Sequence, residues 1–128
     1  MDFGCYGNKN ISTPNIDKIA KNGILFKNAF LTAPQSSPSR TSMLSGKFAH
    51  TIGTEDLHNG LNAETLILPT YLHRAGYVTA SMLKTHWGPN GDKQFDVRIK
   101  GDYLPNQRPL SDELFQNYNK FLDENKDK

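Results

Sequence analysis

One cysteine, Cys5, is all the thiol this chain contains. A single thiol cannot close an internal disulfide, and it cannot form the CxxC pairs that hold a structural zinc. Charge of one sign is scarce as well. Fifteen Lys and Arg against thirteen Asp and Glu leave a formal net charge of +2. That is too little for an electrostatic grip on nucleic acid, and the basic residues are scattered until the mixed tail DENKDK. No apolar run approaches the roughly 18 residues of a membrane span, and MDFGCYGN does not read as a signal peptide. No internal repeat is visible. What remains is an ordinary globular composition, 36% hydrophobic and 22% charged over 128 residues, of a length that suits one domain.

Both ends predict a piece of a larger fold. No leading strand precedes MDFGCYGN, and FLDENKDK is the charged end of a helix with nothing after it. Uncovered apolar edges would follow, so the isolated chain is expected to dissolve poorly.

Between the ends, helix and strand signals alternate. STPNIDKIAKNG carries a helix start at Ser12 or Thr13 with Pro14 in the first turn, an apolar face of Ile16, Ile19 and Ala20, and a stop at Gly23. ILFKNAFL (24–31) has the content of a strand. TAPQSSP (32–38) reads as a loop, and a helix is predicted from Pro38 through Met43 and Leu44 to Gly46. Residues 47–63 read as irregular. ETLILPTYLHRAG (64–76) predicts a helix burying Leu66, Leu72 and Ala75, with Pro69 marking a start near that point. YVTASML (77–83) reads as a strand and 88–109 as loop. SDELFQNYNKFLDENK (111–126) predicts an amphipathic helix capped by Ser111, with Leu114, Phe115, Tyr118, Phe121 and Leu122 on one face. The alternation implies an α/β fold built on a mostly parallel sheet flanked by helices.

The chemistry concentrates in SSPSRTSMLSG (36–46). If Pro38 opens a helix, Ser36 stands where free backbone N–H groups and the positive end of the dipole point. Arg40, four residues on, can fold back to the same end. A hydroxyl, a helix N-terminus and a guanidinium form a seat for a tetrahedral oxyanion. The plainer alternative is a capped helix with a solvated arginine. LKTHWG (83–88) is a second cluster. In extended backbone Lys84 and His86 would point the same way, one able to hold an anionic oxygen and the other able to move a proton near neutrality. The plainer alternative is a strand-end lysine beside a loop histidine. His50 and His58 have no metal-ligand spacing to any partner and read as solvated loop residues. Asp17 reads as a first-turn helix acid, Ser39 as a support for the turn, and Trp87 as a partly buried aromatic.

The stretch 36–46 resembles the signature C/S-x-P-S-R-x-x-x-L-T/S-G of the type I sulfatases, of the alkaline phosphatase superfamily, and matches it throughout. GCYGNKNISTPNIDKIAKNGILFKNAF is similar to that family's N-terminal segment, and the resemblance runs from about residue 4 to residue 88. It implies that residues 1–128 are the N-terminal part of a sulfatase catalytic domain, releasing sulfate from a sulfated small molecule or glycan. It implies that Ser36 becomes formylglycine and is also a calcium ligand. A serine at that position implies maturation by a radical-SAM enzyme, as in an anaerobic bacterium. The family's G-K-x-H motif falls on residues 83–86, with Leu83 in place of the glycine, and carries Lys84 and His86 into the site beside Ser36 and Arg40.

A hydrated aldehyde suits this chemistry because one hydroxyl can attack sulfur while the other collapses to expel sulfate, whereas a plain serine would stay sulfated. The resemblance also implies calcium ligands outside this chain: an Asp-Asp pair before Met1 and an Asp-Asn/Gln pair beyond Lys128, Asp2 being no convincing substitute. Three outcomes therefore stay open: a sulfatase, with THWGP hinting at the branch acting on N-sulfated glucosamine; a non-catalytic remnant or binding piece; or a phosphate or phosphonate monoester hydrolase of the same superfamily. Location is not legible.

Overall fold

The structure is a computed structural model that describes residues 2–99 and 112–127. The chain forms two compact units, Met1–Leu31 and Thr32–Lys128.

In the first unit a 3₁₀ turn, Gly4–Tyr6, packs beside helix α1, Pro14–Asn22. Thr13 sits at the N-cap of α1 but its side chain does not cap the helix. Its hydroxyl instead accepts from the Gly4 amide at 2.8 Å and donates to Asp17 at 3.0 Å. The Asp17 carboxylate also accepts from the Cys5 amide at 2.7 Å, so this first-turn acid fastens the turn to the helix. The predicted apolar face is present but uncovered: Ile19 is 73% exposed. The strand expected over 24–31 does not form, and Ile24, Phe26, Phe30 and Leu31 are all exposed. A strand exists only through the ladder a neighbour supplies. Among the described residues this segment has no such neighbour; the Tyr6 hydroxyl donates to the Phe26 carbonyl at 2.8 Å.

The second unit carries the sheet. Strand β1, Ala80–Met82, pairs in parallel with β2, Val97–Ile99, in the register Ala80 with Val97, Ser81 with Arg98 and Met82 with Ile99. β1 occupies part of the predicted 77–83. β2 lies within residues read as loop, because three residues of VRI among turn formers carry too little periodicity to announce a strand. Helix α2, Ser36–Ser45, begins two residues earlier than predicted and ends at Gly46, whose left-handed φ of 67° lets its amide bond the Ser42 carbonyl.

Helix α3, Leu68–Arg74, starts next to Pro69 as expected. Its buried residues differ from the prediction: Ile67 and Pro69 are buried, Leu66 and Leu72 half-buried, and Ala75 exposed. The shorter helix turns a different stripe inward. A short helix α4, Pro89–Asp92, fills the β1-to-β2 crossover, and α5, Asp112–Asn125, packs on β2, with Leu114 as its buried residue. The proposed Ser111 cap lies outside the described residues.

The core is small. Ile52, Leu61 and Ile67 form its centre, with Leu44 and Phe95 packed on it. Gln94 ties its parts together. Its side-chain oxygen accepts from the Ile67 amide at 2.9 Å and the Thr70 hydroxyl at 2.7 Å, while its amide donates to the Thr65 carbonyl at 2.9 Å. Parallel strands with a helix-bearing crossover and flanking helices make this an incomplete α/β domain. Among the described residues no helix is long and apolar enough to cross a membrane.

Candidate functional site

Ser36 is the first residue of α2, with Gln35 at the N-cap and no side-chain cap. The first amides of a helix have no carbonyl partner within it, and Pro38 in the third position has no N–H to leave unpaired. The open donors at this end therefore sit beside the half-buried Ser36 hydroxyl, at the positive pole of the helix.

The segment after β1 closes over this end. Ser36 Oγ and His86 Nδ1 lie 3.3 Å apart. The hydroxyl donates when Nδ1 is bare and accepts when Nδ1 carries the proton. Two further bonds hold the backbone of that segment. Ser37, 1% exposed, donates its hydroxyl to the His86 carbonyl at 2.6 Å. Arg40 donates from Nη1 to the Lys84 carbonyl at 2.8 Å.

Residues 83–86 are not extended, as the two-residue spacing had suggested. Leu83 and His86 adopt left-handed φ values of 60° and 62°. The kink brings the His86 ring to Ser36. Lys84 joins the cluster through its carbonyl, and its side chain is exposed. Arg40 is thus a clamp on this segment as well as a cation at the helix end.

Beneath the turn, Thr41 and Thr54 are both fully buried, with hydroxyl oxygens 2.8 Å apart. Thr41 also donates back to the carbonyls of Ser37 or Pro38, 3.0 and 3.1 Å away. Behind the turn, the Leu61 amide donates to the Trp87 carbonyl at 2.9 Å, and Gly60 and Gly88 meet backbone to backbone. A Cβ on Gly88 would lie 3.0 Å from the Gly60 Cα, on a residue whose φ of 75° already disfavours a side chain.

Sequence reasoning missed the roles of Ser37, Thr41, Thr54 and the Gly60–Gly88 contact. Their signals are generic residue types, and only the meeting of segments far apart in the chain gives them partners. Trp87, read as a partly buried aromatic, is buried. His50 and His58 stay in exposed turns: His50 stacks on Phe48 at 5.6 Å, and the His58 amide bonds the Asp56 side chain. In the first unit, partial burial and then the neighbouring Asp17 carboxylate push the Cys5 thiol up, which disfavours a nucleophilic thiolate.

The donors around Ser36 are a histidine, a guanidinium and helix amides, which match an anion. They do not match calcium, which takes several hard oxygens. Among the described residues no group of three or more His, Cys, Asp or Glu is arranged to hold a metal.

The family model described as Sulfatase matches residues 1–128. An ulvan-active sulfatase of Formosa agariphila is 36% identical over 112 residues, covering 81% of this chain and 22% of its own length. The N-sulphoglucosamine sulphohydrolase of Homo sapiens is 37% identical over 101 residues, covering 75% of this chain and 20% of its own. A solved structure of a protein in complex with its substrate D-glucosamine-2-N,6-O-disulfate is 40% identical, with a TM-score of 0.63, over 73% of this chain and 19% of that one. The chain spans about a fifth of the length of the curated relatives it matches.

Proposed function

The chain belongs to the sulfatase family, and from that premise we propose that it is part of the catalytic domain of a sulfuric ester hydrolase acting on a sulfated sugar, with Ser36 as the nucleophile position and Arg40, Lys84 and His86 around it. The observation that carries this reading is the meeting of Ser36 and His86, 3.3 Å apart at the N-terminus of α2. A sulfated glucosamine is the substrate named for a protein of similar structure, which favours that class of sugar here.

Oxidation of Ser36 to formylglycine, by a radical-SAM partner, fits a half-buried hydroxyl at the mouth of the cluster. The group's hydrate supplies one hydroxyl to attack sulfur and a second whose loss of a proton lets sulfate leave. The chain's own residues do the rest. His86 Nδ1 is within reach of the Ser36 oxygen and can take or return that proton. The free amides at the start of α2 and the Arg40 guanidinium face developing negative charge on the sulfuryl oxygens. Lys84, exposed at the rim, offers a mobile cation to the incoming sulfate. Calcium, expected of the family, would need oxygen ligands that the described residues do not provide, so no step here is routed through it.

The test uses the protein as the cell makes it, co-produced with a radical-SAM maturing enzyme. Mass spectrometry of the peptide bearing Ser36 should show the loss of two hydrogens. Sulfate release from sulfated glucosamine should disappear in Ser36→Ala. Unchanged release in that variant would overturn the assignment. Faster release of phosphate than of sulfate from matched esters would move the reading to a phosphomonoesterase.

A further inference from the structure

Two non-glycine residues in left-handed backbone within four positions is an unusual local demand. Each is a conformation that an L side chain disfavours, and such strain persists only where the surroundings over-determine it. From one side the segment is held by Ser37 and Arg40 of α2. It must also be held from behind.

The grip from behind converges on one carboxylate oxygen. Asp92 Oδ1 accepts from Trp87 Nε1 at 3.0 Å and from Arg98 Nη1 at 2.7 Å. The same Arg98 nitrogen reaches Thr85 Oγ1 at 3.3 Å. Asp92 closes α4, Arg98 is the middle residue of β2, and Thr85 and Trp87 flank His86 in sequence. The Trp87 indole stacks on Phe95 at 5.3 Å, and Gly91 lies against its edge where a larger residue would collide. Thr85 and Trp87 are buried, at 9% and 8% exposure. The residues before and after His86 are thus both fastened inward, and the histidine between them is left facing α2.

We infer that Asp92 is a positioning residue for the site: through Trp87 directly, and through Arg98 to Thr85, it fixes the left-handed turn that presents His86 to Ser36. Asp92 touches neither Ser36 nor His86, so it is not a catalytic residue. The inference rests on reading that pair as the reacting centre. As a stability element alone the Asp92–Arg98 pair is weak, because both side chains are more than a third exposed and water screens them. Its effect should therefore fall on the local conformation far more than on global stability.

Hydrogen exchange of the chain itself, read by mass spectrometry, separates these. In Asp92→Ala, peptides covering residues 83–88 should exchange about tenfold faster than in the unaltered chain, while peptides of the core around Ile67 keep their rates. Asp92→Asn, which preserves an acceptor for the Trp87 indole, should recover protection in part, and Arg98→Gln should reproduce the loss at Thr85. Unchanged exchange at 83–88, or an equal acceleration everywhere, would overturn the inference. If Asp92→Ala does not fold, Asp92→Asn decides by the same two readings. No turnover is needed, so a flat exchange result removes the positioning role and leaves the sulfatase reading intact. Retained activity in Ser36→Ala would do the reverse.

Discussion

Among the described residues, Leu83 is one of two non-glycine residues that the backbone holds in the left-handed region. At φ 60° its Cβ crowds the neighbouring carbonyl. A glycine, with no Cβ, would adopt that region without this cost. Truncation and strain can be separated by two variants. Leu83→Ala removes the side chain and keeps the strain, whereas Leu83→Gly removes both. We expect Leu83→Gly to be the more stable of the two by about 1 kcal/mol, read from thermal or denaturant melts. Equal stability would mean that the turn is relaxed and that its φ reflects no cost. His86 shares the left-handed geometry but cannot be tested this way, because its ring also meets the Ser36 hydroxyl.

The pair of strands is the next scale, and one carboxylate governs it. Asp96, just before β2, accepts from the Thr79 amide at 2.7 Å and the Thr79 hydroxyl at 2.9 Å, immediately before β1. Its other oxygen meets His73 Nδ1, at the end of α3, at 2.6 Å. The Thr79 amide first, then the Thr79 hydroxyl and His73, hold the Asp96 carboxyl below its ordinary value against a partial desolvation that opposes them. The folded state therefore binds this proton less readily than the unfolded chain does. Its contribution to stability is complete above the usual carboxylate range and is lost as pH falls through that range towards the lowered folded value. Asp96→Asn should flatten the acid side of the stability profile, measured by denaturant melts from neutral pH downwards. An unchanged acid limb would show that the strand pair does not depend on this charge.

Across the whole chain, large apolar side chains lie open in both units. Phe30 is 92% exposed, Ile24 80% and Met43 75%. Side chains this open offer apolar surface on which copies of the chain can associate. The chain on its own is expected to bind a hydrophobic dye in its native state and to sediment as concentration-dependent associates. A monomer with a sharp cooperative melt and no dye binding would contradict this. Among the described residues the sheet has only two strands, and the outer edges they leave point in the same direction.

The sequence determined what is local. Pro14 and Pro69 set helix starts, Gly46 and Gly76 supplied left-handed ends, and alternation of helix and strand signals fixed the α/β class. SSPSR placed Ser36 and Arg40 on one helix end, because residues four apart share a face whatever lies around them. Tertiary structure decided what depends on partners. Residues 24–31 have strand composition but no ladder, whereas VRI has little strand signal and a neighbour in β1. The turn at Leu83–His86 is strained, and a strained turn cannot be read from propensity, since its stability comes from contacts with Ser37, Arg40, Leu61, Asp92 and Arg98. Propensity is a property of a few neighbouring residues. The meeting of Ser36 with His86 is a property of two segments that only the folded chain brings together.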